Sequence, residues 1–188
     1  MTALSSFIIN PSNTLYDGED HDEKILYVIR RSKITNLSWT LLAAIMLIIP
    51  TIADPFLRSL KFNGANLVSL KFLFIFTFSW YLATFGLAFF NFLNWFFNVY
   101  IITSKKIIDF DFFGLTYKNI AETTLENVED VTSTISGPFH TIFNIGDVVI
   151  QTAGEKREFD FVEVDDPGRI RDIISDLVVA KRGHHDHN

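Results

Sequence analysis

The chain has 188 residues, enough for one modest soluble domain beside a small membrane unit. It carries 16 Lys or Arg against 22 Asp or Glu, a formal net charge of −6, and no cysteine, which excludes disulfides, thiolate zinc sites and cysteine nucleophiles together. Most of the acidic excess falls after residue 97, where nine Lys or Arg face sixteen Asp or Glu; clustered basic residues are what nucleic acid and anionic lipid reward, so neither is expected as a main partner of that part.

Met1 to Asn13 has a short apolar group, Phe7 to Ile9, without a basic start or a long apolar core. It reads as a loosely docked tail and not as a cleaved signal peptide. The following TLYDGEDHDEKILYVIRRS places Ile25, Leu26, Val28 and Ile29 at a spacing that suits either a short amphipathic helix or an extended segment. Its acidic start and basic end favour a helix dipole. Residues 1–36 are therefore expected to form a solvated cytoplasmic segment.

The 48% apolar content is concentrated between Leu37 and Phe97. Leu37 to Ala53 is seventeen residues without a charge, at the lower edge of what spans a bilayer. A first helix is predicted over about residues 37–57, with Pro50 near its end, Asp54-Pro55 closing it and Asp54 as an interfacial cap. The stretch from Leu67 to Phe97 has one charge, Lys71, and no proline. As a helix it would extend about 46 Å, against ~30 Å of hydrocarbon. Phe72, Phe74, Phe76 and Phe78 alternate like a strand, but Leu73, Ile75 and Thr77 between them leave no polar face, so a helix apolar on every side is expected.

The connection DPFLRSLKFNGAN, with a turn at Asn63-Gly64, makes residues 37–97 an antiparallel transmembrane hairpin. Lys24, Arg30, Arg31 and Lys33 precede the first helix and Lys105 and Lys106 follow the second, against Arg58, Lys61 and Lys71 on the connection. The positive-inside tendency then puts both termini in the cytoplasm, with Trp39 and Trp95 at the cytoplasmic interface.

After Phe97 the period changes to two. NVYIIT is one strand; Ile108, Phe110 and Phe112 alternate with Asp109 and Asp111 in a second; LTYKNIAETTL and the run from Val128 through Val131 to Ile135 are the next two. DVVIQTAG follows Gly146, and beyond a turn at Ala153-Gly154-Glu155 its hairpin partner carries Phe159 and Phe161. Short strands at this spacing predict a small barrel or sandwich. Asp165 and Asp166 can cap a final helix with Pro167 in its first turn, and Ile170, Ile173, Ile174, Leu177 and Val178 form one apolar stripe. That stripe suits a helix closing the open end of a barrel.

The run from Tyr100 to Ile108, Leu125 to Val131 with Glu126, Asn127, Glu129 and Asp130, and Asn144 to Ile150 with Gly146 and Asp147 lie in order behind two apolar helices. With Glu23, Arg30 and Arg31 ahead of the first helix, this order resembles the membrane-anchored bacterial pleckstrin-homology (PH) family, of the YdbS-like kind. Ser104 and Lys106 stand where the family usually has Asn or Asp and then Arg. The resemblance implies an α+β membrane protein: a two-helix transmembrane hairpin, then a PH-like β-barrel over residues 98–181 capped by a C-terminal α-helix. Residues 182–188 are expected to be a disordered tail.

No catalytic constellation assembles. His140, in SGPFHTIF, lacks the HExxH spacing and has no nucleophile elbow nearby, so it reads as a loop histidine. His184, His185, Asp186 and His187 read as a chain end and not as a metal site; no metal and no cofactor are expected. Lys105 and Lys106 occupy the turn that binds phosphoinositides in other pleckstrin-like folds, but Asp109 and Asp111 follow, and the turn would lie roughly 20 Å from the membrane at ~3.3 Å per residue. Phe139 and His140 are candidate partner contacts, although Phe139, Ile142 and Phe143 are expected to tuck into the barrel as a helical turn. Asn91, Asn94 and Asn98 share a helix face and are candidates for helix–helix contact. Asn91, the deepest, would look to Ser38, Thr40 or a second protomer for a partner. The reading is a two-pass protein integral to the bilayer that displays a non-catalytic PH-like domain as an interaction or assembly module. Its protein partner is unknown, it is a candidate homo-oligomer, and it binds no nucleic acid. The alternative is a small transport or channel subunit using Asp54 and Lys71.

Overall fold

The computed structural model describes residues 6–11, 23–63, 65–113, 117–153 and 158–185, and its first element is a strand where the sequence suggested a loose tail. Phe7–Ile9 (β1) pairs antiparallel with Ile25–Arg30 (β2), Phe7 opposite Ile29 and Ile9 opposite Tyr27. The extended alternative wins for β2 because both of its faces are buried. Ile29 enters the main core, while Ile25 and Val28 pack with Ile101 and Ile108 in a second cluster. A short helix would bury only one stripe. β2 is thus an interior strand of the sheet and not part of a solvated segment.

The described residues fall into two units, one made of those up to Thr35 and from Asn94 onward, the other running from Asn36 to Leu93. In the second unit, Leu37–Ser59 (α1) is 23 residues, about 35 Å at ~1.5 Å per residue. Asp54-Pro55 does not close it; Pro50 and Pro55 both lie inside, and the helix ends where the Leu60 amide donates to Leu57. A proline leaves the carbonyl four residues earlier without its helical donor, and for Pro50 that carbonyl belongs to Met46. The Trp80 indole N–H donates to the Met46 oxygen at 2.8 Å, which is why the helix tolerates the proline. Three residues earlier on the same face, the Thr77 hydroxyl lies 3.0 and 3.2 Å from the Asp54 carboxylate oxygens, so Asp54 is an interhelical acceptor instead of a cap. Trp80→Phe is expected to destabilise the hairpin by about 0.6 kcal/mol and at most ~1.7. Reversible unfolding in mixed micelles checks this; an unchanged midpoint would show that Met46 has another donor.

Lys61–Phe62 (β3) and Ala65–Asn66 (β4) pair across the connection, and Leu70–Phe97 (α2) returns over 28 residues. Leu41, Ile45, Ile52, Phe74, Phe78 and Phe85 are exposed, and only 11% of each helix's most apolar stretch is buried. Both helices are long and apolar enough to cross a membrane, and such an exterior is compatible with a membrane protein.

The first unit continues with Val99–Thr103 (β5), Lys106–Phe113 (β6) and Tyr117–Thr124 (β7), giving a five-stranded antiparallel sheet in the order β1-β2-β5-β6-β7. A single helical turn at Leu125–Asn127, with Leu125 buried, redirects the chain. Val128–Thr134 (β8), the short helix Pro138–Phe143 (α3), Ile145–Thr152 (β9) and Glu158–Asp165 (β10) then build a three-stranded sheet in the order β10-β9-β8. The expected closed barrel does not form. Among the described residues the isolated bridge between Arg31 and Val164 joins the sheets. β10 bulges between Phe161 and Val164, with Glu163 at φ 52°, and its ladder with β9 resumes at Val164–Gly146.

The sheets instead face each other across a core that includes Ile29, Ile102, Ile107, Val148, Ile150 and Phe161. Pro167–His185 (α4) covers this core with Ile170, Ile174 and Val178. α4 runs past residue 181, where a tail was expected, because the Arg182 guanidinium donates to the Val128 carbonyl at 2.5 Å and Lys181 pairs with Glu126 at 3.8 Å. Gly64 of the first turn, Gly154 and Glu155 of the second, and Asp186 and His187 of the tail lie outside the described residues.

Candidate functional site

The β5–β6 turn is built on the Thr103 hydroxyl, which accepts from the amides of Lys105 at 3.1 Å and Lys106 at 2.8 Å. The same hydroxyl donates to the Glu23 carboxylate at 2.5 Å, and both residues are buried. Ser104 and Lys24 exchange backbone and side-chain hydrogen bonds across the turn. The Lys106 ammonium sits 3.6 Å from Glu122. A phosphate site needs free amides and unopposed positive charge. Here two amides are already engaged and a carboxylate lies beneath them. The sequence presents Glu23 as part of an acidic segment start and of the family resemblance; the pairing of Ile25 with Thr103 is what carries it to this turn.

α3 begins after Gly137, whose φ of 90° suits glycine, and ends at Asn144 in the left-handed region. His140 Nδ1 lies 2.8 Å from the Ser136 carbonyl, a geometry in which the ring N–H donates, and Nε2 lies 4.0 Å from Glu163. Glu163 in turn pairs with Arg31 at 3.1 Å, while its amide donates to Asp147 at 2.7 Å. His140 is therefore part of a structural relay between α3, β10 and the end of β2. Because His140 takes the half-buried side of this helix, Phe139, Ile142 and Phe143 point outward, 44%, 77% and 43% exposed, and do not tuck into the core. Phe139 and Phe143 pack on each other with ring centroids 4.8 Å apart.

The amides of α2 separate. The Asn91 side chain donates one N–H to the Leu87 carbonyl of its own helix at 2.9 Å, so that donor needs neither Ser38, Thr40 nor a second protomer. The Thr40 hydroxyl likewise bonds within its own helix, to Asn36. Asn94 and Asn98 are half-buried, and Asn98 lies one residue past the end of α2, so the three amides do not share one helix face. Trp95, expected at a lipid interface, is buried, and its indole N–H donates to the Arg31 carbonyl at 3.0 Å. Arg30 lies over the Phe96 ring at 4.9 Å. Asn91→Leu is expected to leave the oligomer fraction in bilayers unchanged when followed by FRET, since a bond inside one helix turn does not depend on a partner; a clear fall would reinstate the intermolecular amide.

Within the helical hairpin, Asp54 lines an open pocket of about 430 Å³ with Pro50, Thr51, Pro55, Arg58 and Tyr81. Lys71 is exposed and does not line it.

Two facing antiparallel sheets covered by one C-terminal helix, with a helical hairpin inserted between two neighbouring strands, define an α+β module of the PH-like class. A family model described as "Bacterial PH domain" matches residues 25–178, and the chain belongs to that family. The match begins at the first residue of β2, in agreement with the place of that strand inside the sheet. The fold is also similar to the crystal structure of a DUF1696 family protein with a pleckstrin-homology domain from Shewanella loihica PV-4. That likeness is 16% in sequence, covers 43% of this chain and 70% of the other, and has a TM-score of 0.34. No curated protein matches the chain. A PH-like domain is generally a non-catalytic module.

Proposed function

We propose that the chain is a two-pass integral protein of the cell membrane, YdbS-like, with both termini in the cytoplasm, whose PH-like unit is a non-catalytic module for interaction or assembly. The observation that supports it most is the pairing of Arg30 with Val99. The chain leaves the sheet after Arg30, runs through α1 and α2, and returns to it at Val99 as the neighbouring strand. Two ends held in one ladder must lie on the same side of any membrane crossed between them, so an even number of crossings follows. Basic residues at Arg30, Arg31, Lys33, Lys105 and Lys106 favour the cytoplasm for that side. The engaged amides and buried Glu23 at the β5–β6 turn argue for a protein partner over a lipid headgroup.

The test is proximity labelling in the native host from a ligase fused to the C-terminus. A recurrent set of proteins enriched over a control carrying only residues 36–97 is expected. No enrichment over that control would contradict the interaction reading, and recovery of the chain in the soluble fraction after alkaline carbonate washing would contradict the membrane reading.

A further inference from the structure

We propose that α3 is a third membrane contact, with Phe139, Ile142 and Phe143 seated in the headgroup–acyl boundary of the leaflet that α1 and α2 enter; the inference rests on the two-pass reading above. Its first support is position within the sheet unit. α3 joins β8 to β9 directly after the pair Thr134–Asp147, at the sheet end where Val164 pairs with Gly146 and bridges to Arg31. His140, Glu163 and Arg31 connect α3 to the end of β2, six residues before α1 begins, through contacts of 4.0 and 3.1 Å. The Arg31 carbonyl accepts from Trp95, at the point where the chain comes back. Both crossing points and α3 therefore share one end of the unit. If α1 and α2 cross a bilayer, covalent continuity holds Arg31 and Trp95 near its surface and α3 with them.

The second support is chemistry. Ile135, Phe139, Ile142 and Phe143 are 41%, 44%, 77% and 43% exposed, and the segment Ser136–Phe143 contains no Asp, Glu, Lys or Arg. The one titratable side chain, His140, is turned to Glu163. An uncharged aromatic and aliphatic face is what enters the interfacial layer, where apolar area and not lipid charge sets the strength. Adhesion of this kind suits a unit whose acidic balance would be repelled by anionic headgroups. Seating α3 fixes the orientation of the sheet unit on the membrane and leaves the β5–β6 and β8 surfaces for partners.

The experiment uses the full chain in phosphatidylcholine vesicles with a single environment-sensitive fluorophore at Ile142→Cys, and in a separate sample at Ile52→Cys on the exposed face of α1. Ile142 is expected to show blue-shifted emission and quenching by lipids spin-labelled near the headgroup, unchanged by high salt. The same label in a Phe139→Ser, Phe143→Ser background is expected to lose that quenching while the circular dichroism stays native. Quenching at Ile52 without quenching at Ile142 overturns the inference and spares the two-pass reading. Absence at both positions overturns the two-pass reading and the inference with it. An Ile142 probe shielded from water yet untouched by lipid quenchers also overturns it, in favour of self-association.

Discussion

Phe161→Ala destabilises the sheet unit by about 3–5 kcal/mol, a large part of the ~5–15 kcal/mol available to a domain. Phe161 has no exposed surface and stacks on Tyr100 with ring centroids 4.3 Å apart, joining β10 of one sheet to β5 of the other. Truncation removes the ring and leaves a cavity that fixed sheets on both sides cannot close. The Tyr100 hydroxyl also accepts from the Val162 amide at 3.0 Å, so the two sheets share a hydrogen bond where ladder pairing stops. Burial pushes the Tyr100 phenol well above its ordinary range. Its neutral form is the one the fold holds, so this part of the stability is complete below the unfolded pKa of about 10 and falls as pH rises beyond it. Urea unfolding in detergent, followed by a spectroscopic probe of the sheets, measures the first effect. A shift below 1 kcal/mol would mean that the core repacks around the missing ring.

A fragment beginning at Asn98 does not fold. It retains β5 through α4 but lacks β2, the strand that lies between β1 and β5. Loss of β2 removes Ile29 from the main core and Ile25 and Val28 from the second cluster. It also bares the edge of β5, whose Tyr100, Ile101 and Ile102 are buried, and leaves Thr103 without Glu23. Losing several core side chains at ~2–5 kcal/mol each exceeds the stability of a typical domain. The purified fragment is expected to lack cooperative thermal unfolding, and a version with residues 23–35 joined by a flexible linker to Asn94 is expected to regain it. Cooperative unfolding of the shorter fragment would show that β2 is dispensable.

The regular elements were legible where one physical signal dominated. Alternation located β5 to β10, and the stripe of Ile170, Ile174 and Val178 located α4. The length and apolarity of the stretches around Leu37 and Leu67 located α1 and α2. β2 was ambiguous because apolar residues on both faces of a six-residue strand have neither period, and only the distant partner β5 decides between them. The open architecture is not legible in the sequence because strand alternation does not say which sheet edges pair, and here the edges meet in the isolated Arg31–Val164 bridge. Phe139 and Phe143 misled for a related reason: the helix places His140 inward, and local apolarity cannot show which side of a six-residue helix is covered. The Trp80–Met46 bond is not legible in the sequence, which reads Pro50 as lying near the helix end where few backbone partners are lost, whereas α1 runs on to Ser59. At the β5–β6 turn, Lys105 and Lys106 are visible in the sequence, whereas the place of Glu23 beneath them follows only from the sheet register.

If the inserted hairpin crosses the membrane twice and keeps the PH-like unit inside, Ser59 and the sheet unit lie on opposite sides of it. The absence of native cysteine allows a direct measurement with single-cysteine chains. Ser59, at the end of α1, and Glu129, on β8, are both exposed. With an impermeant thiol reagent on intact cells, Ser59→Cys is expected to be labelled and Glu129→Cys to be protected until the membrane is opened. Labelling of Glu129→Cys on intact cells with protection of Ser59→Cys would contradict the orientation, and equal labelling of both would contradict the membrane crossing.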